Sequence, residues 1–418
     1  MSSVSPDTNE RGNSVANSAR GIEVSVVMPC LNESETLECC IRKAFACIDE
    51  HELSAEVLVA DNGSTDGSQE IARRCGARVV DISDKGYGSA LRGGIASALG
   101  RFIVMADADD SYDFSDFSGF IDKLRDGADL VMGSRFKGRI MPGAMPWKHR
   151  WIGNPVLTGI GRVFFHSNAS DFHCGLRAFT KDAFERMELV TTGMEFASEM
   201  VIKATLRGMR IEEVPVVLYK DGRSRPPHLR SWHDGWRHLR FMLVYSPKWL
   251  FLIPGMAYML IGLFGCAALL PGPLRVGALV LDVHSLLVCS AMLTVGLQLV
   301  FFAATARIFA ASHGLLPPHR GLDKWRSVFS LERLCLLGLA MFVSGVALMI
   351  VAFVSWSKTG FGPLHYAKTL RLVIPATTLV TMGVQVTFGA FLLSVLDLPS
   401  RKDHSYQTYS AVTAPSDN

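Results

Sequence analysis

Four stretches of this 418-residue chain contain no Lys, Arg, Asp or Glu: Trp249–Leu270, Leu286–Ala306, Leu334–Val354 and Val373–Leu396. Each has at least 21 residues, and about 20 apolar residues in a helix cross the hydrocarbon core of a bilayer. A chain with four such spans must fold partly in lipid. The charge distribution agrees. Residues 1–248 hold 64 of the 81 charged side chains and residues 249–418 only 17. The overall 49% hydrophobic content therefore averages two unlike parts, which excludes a wholly soluble enzyme, a collagen and a disordered tail protein. The net charge of +3 divides into −2 and +5 for the two parts, too small to point to a nucleic-acid partner. Loops flanking the spans carry eleven Lys/Arg on one side and four on the other. The positive-inside rule then places the N-terminal part and the C-terminus in the cytoplasm, under a cell (inner) membrane.

The expected divisions are an arm over 1–20, a catalytic domain over 21–226, an interfacial amphipathic helix over 227–248, an all-α domain of four transmembrane helices over 249–396, and a cytoplasmic tail over 397–418. The arm has no apolar run, so neither order nor a secretory signal is expected there. Nine cysteines show no CxxC pair or zinc spacing and read as free thiols. In the segment before the first span, Trp232, Trp236, Leu239 and Leu243 share one helical face, with Arg230, Arg237, His238 and Arg240 around the rest. This pattern suits a helix lying among lipid headgroups.

From Gly21 onward, apolar strands alternate with helical stretches. Strands are expected at Val24–Pro29, Glu56–Ala60, Ala77–Asp81 and Phe102–Ala106. Helices are expected from about Ser34 to Glu50, after Asp66 up to Gly76, and over Ser89–Leu99. Asn32 with Glu35, and Asp66 with Gln69, have capping-box spacing. Continuous apolar strands with crossover helices predict an α/β domain with a mostly parallel sheet covered on both faces. Its ligands belong at the carboxyl ends of the strands.

ADADDSYDF sits at such an end. Asp107 and Asp109, two residues apart on an irregular strand end, can both reach one hard divalent cation, Mg²⁺ or Mn²⁺, bridging a diphosphate. Around it, PCLNE (Pro29–Glu33), DNGSTDGS (Asp61–Ser68), GYGSALRGGI (Gly86–Ile95), DADD (Asp107–Asp110), GSRF (Gly133–Phe136) and GRSR (Gly222–Arg225) occur in one order. In that order the chain resembles the family-2 glycosyltransferases, and more narrowly the dolichyl/polyprenyl-phosphate sugar synthases, over about residues 21–225. The resemblance implies a GT-A fold and inversion at the anomeric carbon. It implies that Pro29, Leu31, Glu33 and Asp61 hold the nucleoside and that Asp107 and Asp109 position metal and diphosphate. Two departures stand out: Asn62 replaces a second aspartate in the first loop, and Ser111 stands where a glutamine is common.

A phosphate monoester acceptor is anionic at neutral pH and needs cationic orientation rather than a general base. Arg135, Arg223 and Arg225 are the candidates to hold acceptor phosphate and diphosphate. Arg177 suits either the sugar or a structural role. Glu195 and Glu199, four residues apart, suit a capping or salt-bridging helix face at least as well as catalysis. WKHRW (Trp147–Trp151) resembles the RW-containing motif of processive polysaccharide synthases but precedes Glu195 rather than following it. Its Lys148, His149 and Arg150 are suited to lipid phosphates.

The leading expectation is a metal-dependent, membrane-bound glycosyltransferase moving sugar from a UDP- or GDP-sugar to a polyprenyl (undecaprenyl or dolichyl) phosphate on the cytoplasmic face. Its partners would be donor, acceptor and bilayer, with a homo-oligomer left open. Transfer to another lipid or to a growing cell-surface polysaccharide is the alternative. A transporter is disfavoured because the spans carry no charge.

Overall fold

The computed structural model describes residues 21–224, 231–313, 315–316, 330–363 and 365–396. The arm over 1–20, Arg225, Arg230, the side chain of Trp232 and the tail over 397–418 lie outside these residues. The chain divides into two compact units, 1–242 and 243–418.

The first unit is built on a seven-stranded sheet. Its strands are β1 (Val24–Cys30), β2 (Ala55–Asp61), β3 (Arg78–Asp81), β4 (Phe102–Met105), β5 (Leu130–Ile140), β6 (Arg177–Thr180) and β7 (Ile211–Leu218). The spatial order is β3-β2-β1-β4-β6-β5-β7. All pairings are parallel except those of β6, which runs antiparallel to β4 and β5. The central strands β1 and β4 are nearly continuous apolar runs, as expected where helices cover both faces of a sheet. Val24, Val26, Val27 and Met28 of β1 and all of β4 are buried. The register sets Cys30 beside Asp61 and Asp61 beside Asp81. Three strands thus end level, and the chain beyond β4 reaches Asp107 at the same edge. That edge carries the chemistry of the PCLNE, DNGSTDGS and DADD segments.

Helix α1 (Leu37–Glu50) starts three residues later than expected and does not use the Asn32–Glu35 box. Asn32 sits at φ +59, and its Oδ1 accepts the Thr65 N–H at 2.8 Å. Glu35 accepts from the Ser224 backbone N–H at 2.7 Å and hydroxyl at 2.6 Å. The second box fails likewise. Helix α2 (Ser68–Arg74) begins after Gly67, while Asp66 accepts from Ser68 and from the Ser34 N–H. Gln69 donates to Asp61 at 2.7 Å and Asp81 at 3.0 Å. Side chains with capping spacing here bind one loop to another, because several loops crowd the same sheet edge and compete for their oxygens.

Helix α3 (Tyr87–Ser97) lies close on β1 and β2. A Cβ at Gly94 would stand 2.8 Å from Ala60 Cβ and 2.9 Å from Val27 Cγ1. Further along are α4 (Ser118–Arg125), a π-helical turn (His149–Gly153) leading into α5 (Asn154–Phe165), α6 (Lys181–Met187), α7 (Phe196–Leu206) and α8 (Ser231–Val244). The last falls within the segment read as amphipathic. His238 of α8 is buried, and its Nδ1 lies 2.8 Å from the Ser198 hydroxyl of α7. Arg237 donates to Glu195 at 2.9 Å. Trp236 remains exposed.

The second unit holds four helices long and apolar enough to span a membrane: Lys248–Leu269, Val283–Ser312, Leu331–Ser357 and Tyr366–Leu396. Its first span begins with a π-helical turn (Lys248–Leu252) continuing into α9 (Ile253–Leu269); the others are α10, α11 and α12. The last three extend beyond their uncharged stretches, so Arg307, Arg333, Lys368 and Arg371 fall within helical residues near the ends. A two-stranded ribbon, Leu274–Val276 with Leu279–Leu281, joins the first two helices. Lipid offers no hydrophobic drive to bring helices together, so close backbone approach matters. A Cβ at Gly383 of α12 would stand 2.6 Å from Gly338 O of α11, and one at Gly296 of α10 would stand 2.7 Å from Gly255 O of α9. Arg371 of α12 pairs with Asp282, the residue preceding α10.

Replacing Gly94 by Val should overpack the α3–sheet contact and destabilise the first unit by about 1–3 kcal/mol, read as a lower urea midpoint for its transition.

Candidate active site

The carboxyl edge of β1, β2 and β4 collects acidic side chains in a partly buried space. Asp61, at the end of β2, accepts the N–H groups of Gly63 and Ser64, both at 3.0 Å, through one carboxylate oxygen. The same Oδ2 accepts from Gln69, whereas the buried Oδ1 has no hydrogen-bond partner. Burial opposes its charge, but donors from Ser64, Gln69 and Gly63 outweigh burial and hold the carboxyl below its ordinary value. A buried, unsatisfied acceptor beside a loop of backbone donors is suited to receive a polar ligand.

Asn62 explains its own departure from the expected aspartate. Its Nδ2 donates to Ile82 O at 3.0 Å and Asp84 O at 2.8 Å, while its Oδ1 accepts from Gly86 N at 2.8 Å. Only an amide has both donors and an acceptor for these partners. Asn62 thereby fixes the loop leading into α3, which presents Tyr87.

Asp109 is buried, and its Oδ1 accepts the Ser111 N–H at 3.0 Å and hydroxyl at 2.5 Å. Its Oδ2 accepts a close bond from Arg223. Arg223 also donates to Glu33 at 3.3 Å, so one guanidinium joins the PCLNE, DADD and GRSR segments. Burial opposes the guanidinium charge, but Asp109 and Glu33 raise the Arg223 pKa above its ordinary value. Ser111 serves here as a donor to Asp109. Asp107 is pushed up to about 6, first by burial and then by the Asp109 charge, against opposing contributions from Tyr87, Arg223 and Arg135. Two crowded carboxylates, one reluctant to ionise, fit the binding of a hard divalent cation: such an ion would relieve their repulsion and be ligated by oxygen. Asp107 and Asp109 would hold it, with charge neutralisation of a diphosphate as its chemical contribution.

Of the residues read as functional, Glu33, Asp107, Asp109 and Arg223 come together, with Asp61 on the strand beyond β1. Pro29 pairs with Ala60 one residue before the end of β1, and Leu31 follows that strand with its side chain exposed. Arg135 is placed differently from an open phosphate ligand. It is buried in β5 and grips Asp171 with Nε at 2.6 Å and Nη2 at 2.7 Å. Burial works against its charge, yet Tyr112 and Asp171 keep it raised. Arg177 takes the structural alternative: fully buried, it donates to Cys174 O at 2.8 Å, Ala197 O at 2.6 Å and Phe172 O at 2.7 Å. Glu199 is equally internal. It accepts from Val190 N, Thr191 N and the Thr191 hydroxyl and pairs with Lys203 at 2.9 Å. The segment so held offers Thr192 O to Gly88 N at 2.9 Å, steadying the start of α3.

Sequence reasoning passed over Tyr87, Tyr112 and Asp171. Burial followed by the Asp107 charge raises the Tyr87 phenol well above its ordinary value, so it stays a donor. Tyr112 accepts from Gly175 N at 2.9 Å. Tyr87 and Tyr112 lie within the GYGS and ADADDSYDF segments, whereas no local signal marks Asp171, which meets Arg135 across 36 positions of sequence.

A mostly parallel sheet with this acidic carboxyl edge, followed by four apolar spans, defines a GT-A-like glycosyltransferase domain on a membrane anchor. Residues 25–187 match the glycosyl transferase family 2 domain, and residues 304–397 match the glycosyltransferase family 2 C-terminal transmembrane region. The low-salt glycan biosynthesis hexosyltransferase Agl6 of Haloferax volcanii is 37% identical over 379 residues, covering 89% of each chain. A dolichyl-phosphate hexose transferase of the same organism is 31% identical over 196 residues, 46% of this chain and 82% of that one. The chain belongs to glycosyltransferase family 2 and is a multi-pass membrane protein. Among solved structures, glucosyl-3-phosphoglycerate synthase from Mycobacterium tuberculosis, in complex with Mn²⁺, UDP and glucosyl-3-phosphoglycerate, is similar at TM-score 0.42 and 21% identity. That match covers 58% of this chain and 84% of that one.

Asn62→Asp should lower stability by about 1–3 kcal/mol, because a carboxylate would face the Ile82 and Asp84 carbonyls without donors. Thermal unfolding followed by tryptophan fluorescence measures it. A cation held by Asp107 would compete with protons there, since burial and the Asp109 charge push its pKa up to about 6. Mn²⁺ affinity, read by electron paramagnetic resonance, should be steady above that pH and fall by about tenfold per unit below it. The raised pKa works in the opposite sense on the metal-free protein, whose Asp107 contribution to stability is present at low pH and is lost as pH rises through 6.

Proposed function

We propose that this enzyme transfers a hexose from a UDP- or GDP-hexose to a polyprenyl phosphate at the cytoplasmic face of the cell membrane, with inversion at the anomeric carbon. The observation that carries the reading is the Arg223 bridge: one cation binds Asp109 and Glu33 beside the crowded Asp107. A site with this balance of charge suits an anionic diphosphate together with a divalent cation and an anionic acceptor. The Haloferax relatives, a hexosyltransferase and a dolichyl-phosphate hexose transferase, support hexose and lipid phosphate as substrate classes.

In this reading, Pro29, Leu31 and Glu33 with Asp61 line the nucleoside position, and Asp61 offers its unpartnered Oδ1 to the base. Asp107 and Asp109 would hold Mg²⁺ or Mn²⁺, which would supply charge neutralisation for the diphosphate. Arg223, followed by Arg225, orients the acceptor phosphate. Arg135, locked on Asp171, adds a fixed positive charge that reaches Asp107. An acceptor phosphate oxygen attacks the anomeric carbon and forms the new C–O bond. The bond from that carbon to the diphosphate oxygen breaks, and the nucleoside diphosphate leaves with the electron pair. Because the acceptor is already an anion, no side chain has to remove a proton. Glu195, committed to Arg237, and Glu199, committed to Lys203 and Thr191, are not needed as bases.

Membranes containing the full chain, given Mn²⁺ and labelled nucleotide hexoses, should yield an organic-extractable, acid-labile product. Asp109→Asn should reduce its rate by about 10²–10³-fold. No lipid-linked label from any UDP- or GDP-hexose would overturn the donor–acceptor reading, and an unchanged Asp109→Asn rate would overturn the metal assignment.

A further inference from the structure

Away from the acidic sheet edge, three side chains of different ligand chemistry meet near the far end of α1. Cys47 and His51 lie four residues apart at the C-terminal end of that helix, so they share one face. Asp116 comes from the loop just before α4. The sulfur, a ring nitrogen and a carboxylate oxygen of the three all lie within 4.8 Å of one another. Cys47 is fully buried, whereas His51 and Asp116 are exposed. The sulfur thus forms the floor of the cluster, and two mobile-headed groups stand between it and solvent.

Each ligand atom has a support. The Phe117 N–H, at the start of α4, donates to Cys47 Sγ at 3.5 Å, and a helix N-terminus favours a thiolate. Burial pushes the metal-free thiol above its ordinary value and the charges of Asp116 and Glu50 add to this, against the N–H groups of Phe117 and Ser118. A cation at the sulfur would answer both the burial and those charges. Asp116 Oδ1 accepts the Ser118 N–H at 3.1 Å and hydroxyl at 2.7 Å, which fixes the carboxylate. Its Oδ2, like the His51 ring, has no hydrogen-bond partner among the described residues. Donors that orient a ligand and leave its other atom free are what metal ligands require of their surroundings.

We infer that Cys47, His51 and Asp116 form a zinc site, separate from the catalytic cation, with water in the fourth position. The donor set selects the metal: a thiolate, an imidazole and a carboxylate suit a borderline-soft tetrahedral ion, whereas Mg²⁺ and Mn²⁺ favour oxygen. Bonds of about 2.0–2.3 Å to zinc place ligand atoms about 3.5 Å apart. Rotation of the exposed His51 and Asp116 side chains closes the cluster to that spacing. On binding, zinc replaces the thiol proton of Cys47, which passes to solvent. Cys47 lies ten residues beyond Leu37, about 15 Å along α1 from the end that meets the catalytic edge. The zinc would tie the last turn of α1 to the chain that runs on from DADD. The Lys43–Asp110 pair, at 2.7 Å, makes the same connection nearer the catalytic edge. None of the three ligands is used by the glycosyl-transfer reading, so the two stand or fall separately.

The test uses the full chain in detergent micelles, stripped of metal by a chelator and titrated with Co²⁺ as the probe. Co²⁺ should produce a thiolate-to-cobalt charge-transfer band in the near ultraviolet, and Zn²⁺ should bleach it. The catalytic carboxylates supply no sulfur and add nothing to that band. Cys47→Ser should abolish it. His51→Ala and Asp116→Ala, both at exposed positions, should each weaken cobalt by more than the about 10–100-fold that changes outside the ligand shell cost. No band, or a band that survives Cys47→Ser, would overturn the inference, since the signal would then belong to one of the other cysteines. Should Cys47→Ser fail to fold, a cobalt affinity unchanged in His51→Ala and Asp116→Ala would overturn it equally.

Discussion

The mutual repulsion of Asp107 and Asp109 is the constraint around which the first unit is arranged. Burial first, and the Asp109 charge second, push Asp107 up to about 6, so the two carboxylates do not both ionise easily. Each neighbouring feature answers that repulsion. Arg223 crosses from the last loop to pair with Asp109, Ser111 donates twice to the same carboxylate, and Tyr87 donates to Asp107 from α3. Further out, Asn62 and Glu199 hold the segments that carry Tyr87. The site is therefore an electrostatic balance maintained by hydrogen bonds from at least four loops, with a divalent cation as the natural counter-charge.

The membrane unit is held by a different rule. Its helices are apolar all round, so burial gives no preference for one neighbour over a lipid tail. Their association depends on glycines that let backbones touch, as at Gly338 with Gly383 and Gly255 with Gly296. The Arg371–Asp282 pair adds a charged tie at one end, where water can reach it. The spans thus combine close packing with an uncharged interior, in keeping with an anchor for the catalytic unit.

Much of this was legible in the chain. The strand positions over residues 24–106 agree with the structure to within one residue at nearly every end, because buried parallel strands are continuous apolar runs. The six ordered motifs identified the family, and the pair Asp107–Asp109 falls at the sheet edge where parallel strands open onto their ligands. The failures share a cause. Asn32, Glu35, Asp66 and Gln69 have capping spacing, but their oxygens and amides are taken by loops more than ten or thirty positions away. Arg135 and Arg177 look alike as arginines in a phosphate-handling domain. One is paired with a distant aspartate and the other saturated by three carbonyls.

The sequence by itself determined what is set by local composition and period: a water-soluble α/β part, four spans, the acidic strand end and the family to which they belong. Only the tertiary structure decided which polar side chains face ligand and which face protein, since that depends on partners brought together by the sheet order. Asn62 and Arg223 illustrate the division. The first reads as a lost carboxylate and proves to be a three-way amide staple. The second reads as one basic residue among several and proves to be the cation that joins Glu33 to Asp109, from 190 and 114 positions further along the chain.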